Sequence, residues 1–159
     1  MKKLLVVIAA IAATQLSPAL AIERDVIERA QAAFGAQLAL DCAANAQIDW
    51  VAEDAVYQYA LSGVDVSVRM EGRAVVAAHL CALSAAAPDA IAENIHYSPT
   101  LHPEIVYVQY DLVPADGSGK RSKPLAIIQM RDNQIARFTQ LSKSPESLEV
   151  LKATTGRIN

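Results

Sequence analysis

The spacing of apolar residues changes from a helical period in the first half of this chain to a strand period in the second. Between Glu23 and about Asp41, apolar residues recur every three or four positions, with charged residues on the other side. From Ile91 onward, apolar and polar residues alternate, as they do in strands of an antiparallel sheet. Helices followed by a run of strands predict an α+β fold.

Turn residues divide these two patterns into three predicted helices and six predicted strands. The helices are predicted at residues 23–41, in a short segment that begins at Asn45, and at residues 73–86, where Pro88 ends the last one. The strands are predicted at residues 55–61, 64–70, 91–100, 104–113, 123–131 and 134–142. We expect a curved antiparallel sheet of about six strands, wrapped on the helices as a closed cone around an apolar cavity.

The same spacings predict which side chains face the core. In the first helix these are Val26, Ile27, Ala30, Phe34 and Leu38, and in the third helix they are Val76, Leu80 and Leu83. In the fourth strand, one face carries Val106, Val108, Tyr110 and Leu112, and the other carries Tyr107, Gln109 and Asp111.

Residues 1–21 have the three parts of a secretory signal peptide. Lys2 and Lys3 precede an apolar run from Leu4 to Ala13, and the segment ends at Ala19-Leu20-Ala21. A membrane anchor is the alternative, but polar residues such as Gln15 interrupt the run before it could span a bilayer. We expect cleavage after Ala21, one domain over residues 22–159, a periplasmic or secreted location, and no membrane attachment after cleavage.

The charge of the chain argues against a function that requires binding to nucleic acid. The net charge is −3, and it becomes about −5 when Lys2 and Lys3 leave with the signal peptide. The remaining basic residues are scattered, whereas phosphate binding needs a concentrated basic face. The sequence contains no motif typical of a Ser-His-Asp catalytic triad, of a glycine-rich phosphate-binding loop or of a nucleotide-binding site. We therefore expect no cofactor.

Two cysteines, Cys42 and Cys81, remain in a compartment that permits oxidation. A disulfide between them would close a loop of about 39 residues and contribute roughly 4 kcal/mol. The alternative is two separate buried thiols, since cysteine is among the most buried residue types.

Four segments of the sequence resemble a known group of proteins. They are Trp50 to Tyr57 (WVAEDAVY), Glu71-Gly72-Arg73, His96 to Tyr110 (HYSPTLHPEIVYVQY), and Gln134 to Arg137. Together they resemble the SnoaL-like branch of the nuclear transport factor two-like superfamily, which also contains ketosteroid isomerase. The resemblance covers nearly all of residues 22–159 and implies a cystatin-like α+β barrel. It implies no particular activity, because the superfamily hosts isomerases, dehydratases, cyclases and proteins without known activity.

The catalytic residues of ketosteroid isomerase do not carry over to this sequence. That enzyme uses an aspartate base, with a tyrosine and a protonated aspartate as donors to the oxyanion. The resemblance places the base position at Tyr59, the tyrosine near Phe34 or Gly35, and the second acid near Lys123. Other SnoaL-like sequences often carry a glutamate where this chain has Gln109. The resemblance therefore implies a cavity without a catalyst.

Two residues near the predicted strands are candidates for acid–base chemistry. His96 could serve as a general base, since imidazole is the side-chain group suited to proton transfer near neutral pH, and Asp111 would serve if burial raised its pKa. The alternatives are a histidine that makes a structural hydrogen bond and a solvated carboxylate. The histidines His79, His96 and His102 do not share a metal-ligand spacing, so we expect no metal site.

Aromatic and amide side chains are candidates for binding a ligand. Tyr57 and Tyr59 share one face of the first strand, and Trp50 precedes it, so these three could form the wall of a pocket. Ordinary core packing is the alternative for each of them. Gln109 or Arg137 could orient a bound molecule, although Arg137 could also form a surface ion pair.

These residues leave two predictions of function open. The first is an exported protein that binds a small, mainly apolar molecule in its cone. The second is a cofactor-independent isomerase, dehydratase or cyclase with His96 or Asp111 as acid or base, which requires both side chains to point into a closed pocket. Because both faces of the fourth strand are partly apolar, we also expect a homodimer through the outer face of the sheet.

Overall fold

The computed structural model describes residues 18–42, 48–61, 66–86, 90–114 and 121–142. The elements in order are α1 (Pro18–Leu38), β1 (Val51–Leu61), β2 (Val66–Glu71), α2 (Arg73–Ala86), β3 (Ala90–Pro99), β4 (Ile105–Pro114), β5 (Leu125–Arg131) and β6 (Gln134–Ser142). The predicted α+β class is confirmed. The bounds of α2 and β6 agree with the prediction, and the bounds of the other strands lie within four residues of it.

The six strands form one sheet in the order β2-β1-β6-β5-β4-β3. Neighbouring strands are antiparallel except for β1 and β6, which run parallel and pair Tyr59 with Gln140. The prediction of an antiparallel, closed sheet is therefore wrong, because the observed sheet is mixed and has β2 and β3 as its edges. The two edge strands are consecutive in the sequence, and α2 carries the chain from β2 at one edge to β3 at the other without a pairing between them.

Both helices contact the sheet from its core side, α1 over β3 to β6 and α2 over β1 and β2. A third helix is not found where it was predicted. The segment from Asn45 lies partly outside the described residues, and Asp49 and Trp50 form a turn. Residues 62–63 and 116–119, which separate predicted strands, also lie outside the described residues. Within the described part of the chain, no helix is long and apolar enough to cross a bilayer.

The side of α1 that meets the sheet differs from the prediction at its last turn. Leu38, predicted to be in the core, is 46% exposed. Gln37 is half-buried instead, and its side-chain oxygen accepts a hydrogen bond of 3.0 Å from the Tyr57 hydroxyl. A polar residue is tolerated at this position because the hydrogen bond satisfies it.

The start of α2 is held against β1 by residues of the resembling segments. Gly72, between β2 and α2, has a φ of +87°, a conformation that favours glycine. Arg73 donates from Nε to the carbonyl oxygen of Val51 at 2.6 Å, and its Nη1 lies 2.8 Å from a carboxylate oxygen of Glu53. These segments therefore account for the fold rather than for a reaction.

Aromatic side chains fill the space between α1 and the inner face of the sheet. This aromatic core consists of Phe34, Tyr57, Tyr97, Tyr110 and Phe138. The ring of Phe138 is central, with its centroid 4.9 Å from that of Tyr57 and 6.3 Å from that of Phe34. Phe34, Tyr57 and Phe138 have no exposed surface. The expected cavity is thus not located around these three described residues.

Cys42 and Cys81 form a disulfide in the structure, with their Cα atoms 5.5 Å apart. Cys42 follows the end of α1, and Cys81 lies in the middle of α2. The bond therefore joins the segment after one helix directly to the other helix. It restricts the position of α2 on the sheet.

Candidate functional site

Three of the predicted site residues, His96, Gln109 and Arg137, are exposed on the outer face of the sheet. His96 pairs with Gln109 across β3 and β4, and Gln109 alternates along β4 with the buried Val108 and Tyr110. Strand alternation therefore directs these exposed side chains away from the helices. The structure does not bring His96, Gln109 or Arg137 into the interior.

Asp111 lies in a cluster of charged and polar side chains near the end of β4. Its carboxylate accepts a hydrogen bond of 2.9 Å from Asn94, and it lies 3.4 Å from Arg121 and 3.9 Å from Lys123. Asn94 has a φ of +51° at an irregularity in the pairing of β3 with β4. The Asn94 hydrogen bond, followed by the two positive charges, lowers the pKa of Asp111. A general acid at neutral pH needs the opposite shift.

This cluster predicts a specific dependence of stability on pH. Because the pKa of Asp111 is lower in the folded than in the unfolded protein, its carboxylate stabilises the fold above the unfolded pKa of about 4. That stabilisation is lost as the pH falls through the folded pKa. We expect the wild type to exceed Asp111→Asn in free energy of unfolding at neutral pH, by a difference that shrinks below about pH 4. Urea unfolding of both proteins measures it, and a pH-independent difference would contradict the assignment.

Of the three aromatic residues predicted to line a pocket, Tyr57 and Tyr59 both lie against Phe138, and Trp50 lies apart from them. Trp50 is half-buried beside the start of β1, where its carbonyl accepts a hydrogen bond from the Ile135 amide at 2.8 Å. Tyr59 lies nine residues further along the chain, which corresponds to about 30 Å of strand. Tyr57 belongs to the aromatic core, and its hydroxyl is bonded to Gln37. Of the three, Tyr59 lies beside His79, whose Nε2 atom is buried and without a hydrogen-bond partner among the described residues.

Tyr59 is part of a buried polar group that we call the His79 cluster, formed by Tyr59, His79, Tyr110 and Gln140. The rings of Tyr59 and His79 have centroids 5.2 Å apart. Gln140 pairs with Tyr59 across β1 and β6, and its side-chain oxygen accepts a hydrogen bond of 3.0 Å from the Tyr110 hydroxyl. Tyr59, His79 and Tyr110 are each at most 7% exposed. The cluster therefore places four polar side chains together on the inner face of the sheet.

Burial determines the protonation of this cluster. It lowers the pKa of His79, so the imidazole is neutral at pH 7. Burial also raises the pKa of Tyr59 and of Tyr110, so both hydroxyls keep their protons. The cluster therefore offers uncharged donors and acceptors, which suit a substrate or ligand with polar atoms in an apolar frame.

Sequence analysis did not select His79, Tyr110 or Gln140, although a signal for each was present. His79 lies three residues after Val76 on the predicted buried side of its helix. Tyr110 lies on the apolar face of the fourth strand, and Gln140 alternates with exposed residues of the sixth. A polar residue on an apolar face was the signal in each case.

Other features of the described residues do not form a competing site. No group of three or more His, Cys, Asp or Glu side chains is placed there to hold a metal ion. A surface groove of about 630 Å³ lies beside the connection of β3 and β4, lined by residues such as Glu23, Leu101 and Tyr107. Leu101 is fully exposed, so this groove is open to solvent.

Comparison of the sequence with protein families and with curated proteins finds no match. Solved structures do match. A phenazine biosynthesis-related protein from Pseudomonas aeruginosa is 17% identical, with 91% of each chain covered and a TM-score of 0.63. A candidate polyketide cyclase from Xanthomonas campestris is 19% identical over 83% of this chain and 98% of that one, with a TM-score of 0.58. A protein of unknown function with a cystatin-like fold, also from Xanthomonas campestris, is 15% identical over 79% and 95%, with a TM-score of 0.61.

These likenesses confirm the cystatin-like α+β fold that the resemblance implied. The likeness supports the resemblance at the level of fold alone. Membership of the SnoaL-like branch stays a prediction. At such low identities the likeness concerns the fold, and the chemistry must be argued from the residues of this chain.

Proposed function

We propose that this protein binds a small, mainly apolar molecule that carries at least one oxygen atom, and that it does so at the His79 cluster. The observation that carries the proposal is the Nε2 atom of His79. It is buried in this cluster, and it has no hydrogen-bond partner among the described residues. Since buried polar atoms are normally bonded, this nitrogen is available to a ligand.

The surroundings of Tyr59 favour an apolar ligand frame. Val68 pairs with Tyr59 across β1 and β2, and Leu83 lies one helical turn after His79. Both side chains are partly buried against the core, and the ring of Phe138 lies 6.2 Å from that of Tyr59. A molecule held here would bury apolar surface and satisfy one buried nitrogen, that of His79, which is the usual composition of a small-molecule site.

An enzymatic role is the second candidate. It is favoured by the similar structure from Xanthomonas campestris that is described as a candidate polyketide cyclase. Such a role would be a cofactor-independent isomerisation, dehydration or cyclisation by a member of the SnoaL-like branch. The catalyst would then lie in the interior, because His96 is exposed on the outer face and the pKa of Asp111 is lowered.

Export and homodimer formation are part of the proposal. The Cys42–Cys81 disulfide supports an oxidising compartment. Apolar side chains on the outer face support a dimer, since Tyr107 is 43% exposed and Leu141 is 38% exposed. We expect native mass spectrometry of the protein, purified from the compartment to which it is exported, to show a dimer with a retained small molecule. Empty monomers would count against both statements.

Binding can be measured directly with α-tetralone, a bicyclic ketone, as the probe. We expect calorimetric titration to show binding to the wild type and about two- to tenfold weaker binding to His79→Leu, which removes one hydrogen bond. His102→Leu makes the same substitution at an exposed residue and serves as the matched control. Equal affinity of the wild type and His79→Leu, or no binding at all, would contradict the proposal.

A further inference from the structure

The His79 cluster is covered by the rest of the protein, so a molecule from solvent reaches it only if an element moves. His79 is 6% exposed and Tyr59 is 5% exposed. The element over Tyr59 is α2, which packs on β1 and β2 and places the ring of His79 against that of Tyr59. Access to the cluster therefore depends on what holds α2 in place.

The start of α2 is fixed to β1 by polar contacts. The Gly72 amide donates a hydrogen bond of 2.9 Å to the carbonyl oxygen of Ala55. Arg73 donates to the carbonyl oxygen of Val51 at 2.6 Å and lies 2.8 Å from a carboxylate oxygen of Glu53. Because hydrogen bonds are directional, these contacts hold this end of the helix at one position on the sheet.

The rest of α2 is held in a different way. Val76 and Leu80 are buried, and Leu83 is partly buried against the core. These contacts are apolar and therefore non-directional. A covalent bond is added by Cys81, whose partner Cys42 follows the end of α1. Since α1 covers β3 to β6 and α2 covers β1 and β2, the bond joins two helices that cover different strands.

The disulfide can be reached from solvent without entry into the interior. His79 and Cys81 lie two positions apart on α2 and therefore project from different sides of the helix. His79 faces Tyr59 on the sheet, and Cys81 faces the segment after α1. Cys42 is exposed, whereas Cys81 is half-buried. A dissolved thiol therefore has access to the bond at Cys42.

We propose that the Cys42–Cys81 bond is a redox switch that controls access to the His79 cluster. While the bond is formed, α2 is held over Tyr59 both at its start and at Cys81. After reduction, the part of α2 beyond Arg73 moves away from the sheet more often, and Nε2 of His79 becomes accessible. The switch rests on the proposed function for its purpose, which is to admit the ligand, but not for its movement.

The reductant of the switch is a dithiol. One of its thiolates attacks the sulfur of Cys42, the bond between the two cysteines breaks, and the sulfur of Cys81 leaves as a thiolate. The second thiolate of the dithiol attacks the mixed disulfide and releases Cys42. Two electrons pass from the dithiol, which becomes a disulfide, to the bond of the protein. The two protons of the dithiol end on Cys42 and Cys81.

The test measures the rate at which diethyl pyrocarbonate modifies each histidine, by peptide mass spectrometry. In the oxidised protein we expect the buried His79 to react slowly, and the exposed His96 and His102 to react fast. Reduction with dithiothreitol, removed without air before the reagent is added, should accelerate the reaction of His79 at least about tenfold. The double variant Cys42→Ser, Cys81→Ser should show the same acceleration. The rates of His96 and His102 should not change.

Met130→Ala tests whether a general loss of stability has the same effect. Met130 lies in β5, which α1 covers, and it has no exposed surface. Its truncation is expected to destabilise the fold about as much as loss of the disulfide, but it leaves that bond intact. With all proteins shown to be folded by circular dichroism, His79 should still react slowly in Met130→Ala. Equal acceleration in Met130→Ala and in the double serine variant would overturn the inference.

The outcomes also separate the switch from the binding proposal. If His79 reacts equally fast with and without the bond, or as fast as His96 in the oxidised protein, the switch is wrong, whether or not α-tetralone binds. If reduction accelerates the reaction of His79 as expected, the switch is supported. Failure of α-tetralone to bind either the oxidised or the reduced protein would then overturn the binding proposal alone.

Discussion

Replacement of Phe138 by alanine is expected to lower the free energy of unfolding by about 3–5 kcal/mol. Phe138 has no exposed surface, and it contacts Phe34, Tyr57 and Tyr59 by ring packing. Its removal takes away both the transfer free energy of a phenyl group and the contacts of the surrounding rings. Because these rings come from α1, β1 and β6, the resulting cavity cannot be closed by the movement of one element.

Urea unfolding measures this effect, with Phe138→Leu as an intermediate and Leu101→Ala as the control. Leu101 is fully exposed, so its truncation is expected to change stability by less than about 0.5 kcal/mol. Phe138→Leu should lie between the control and Phe138→Ala. A loss of less than about 1 kcal/mol in Phe138→Ala would show that the aromatic core is loosely packed, and the account of the filled interior would have to be abandoned.

Loss of the disulfide is expected to lower the free energy of unfolding by about 4 kcal/mol. The bond joins residues separated by 39 positions, and in the chain-entropy account it removes loop-closure entropy from the unfolded state. For a domain with a total stability of about 5–15 kcal/mol, such a loss is a large fraction of the whole. The protein without this bond should therefore be close to its unfolding transition at 37 °C.

Cys42→Ser combined with Cys81→Ser removes the bond without leaving a reactive thiol. Urea unfolding of this variant is compared with that of the wild type in the presence and absence of a reductant. The reduced wild type and the double variant should agree, because both lack the same constraint. If reductant leaves the urea midpoint of the wild type unchanged, the bond is either absent from the native protein or without effect on its stability.

Most of the fold could be predicted because the signals for its elements are local. The bounds of α2 follow from the apolar spacing of its residues, and those of β6 from alternation, so the neighbours of each residue in the sequence are sufficient. The parallel pairing of β1 with β6 could not be predicted in this way. It joins the first strand of the sequence to the last, and the residues of neither strand indicate which strand it pairs with.

The same non-local pairing explains why most of the candidate site was missed. Tyr59 was selected from its own strand, but its neighbour Gln140 is brought to it by β6. His79 reaches the same place from α2. The types of the residues instead suggested His96 and Gln109 as site residues. The alternation of side chains along their strands places both on the outer face of the sheet. Hydrophobicity also favoured Leu38 over Gln37, although the hydrogen bond from Tyr57 allows the amide to be buried.

The parallel contact between β1 and β6 also sets the order in which the protein can be assembled. A ribosome makes β1 long before β6, and until β6 has been synthesised the edge of β1 that will meet it remains unpaired. Contacts between residues so far apart in the sequence form slowly, because the chain between them must first close into a loop, and this costs conformational entropy before any contact is made. Translation of the domain is therefore nearly complete before the full sheet can form, which is compatible with the proposed export, because an exported chain crosses the membrane unfolded.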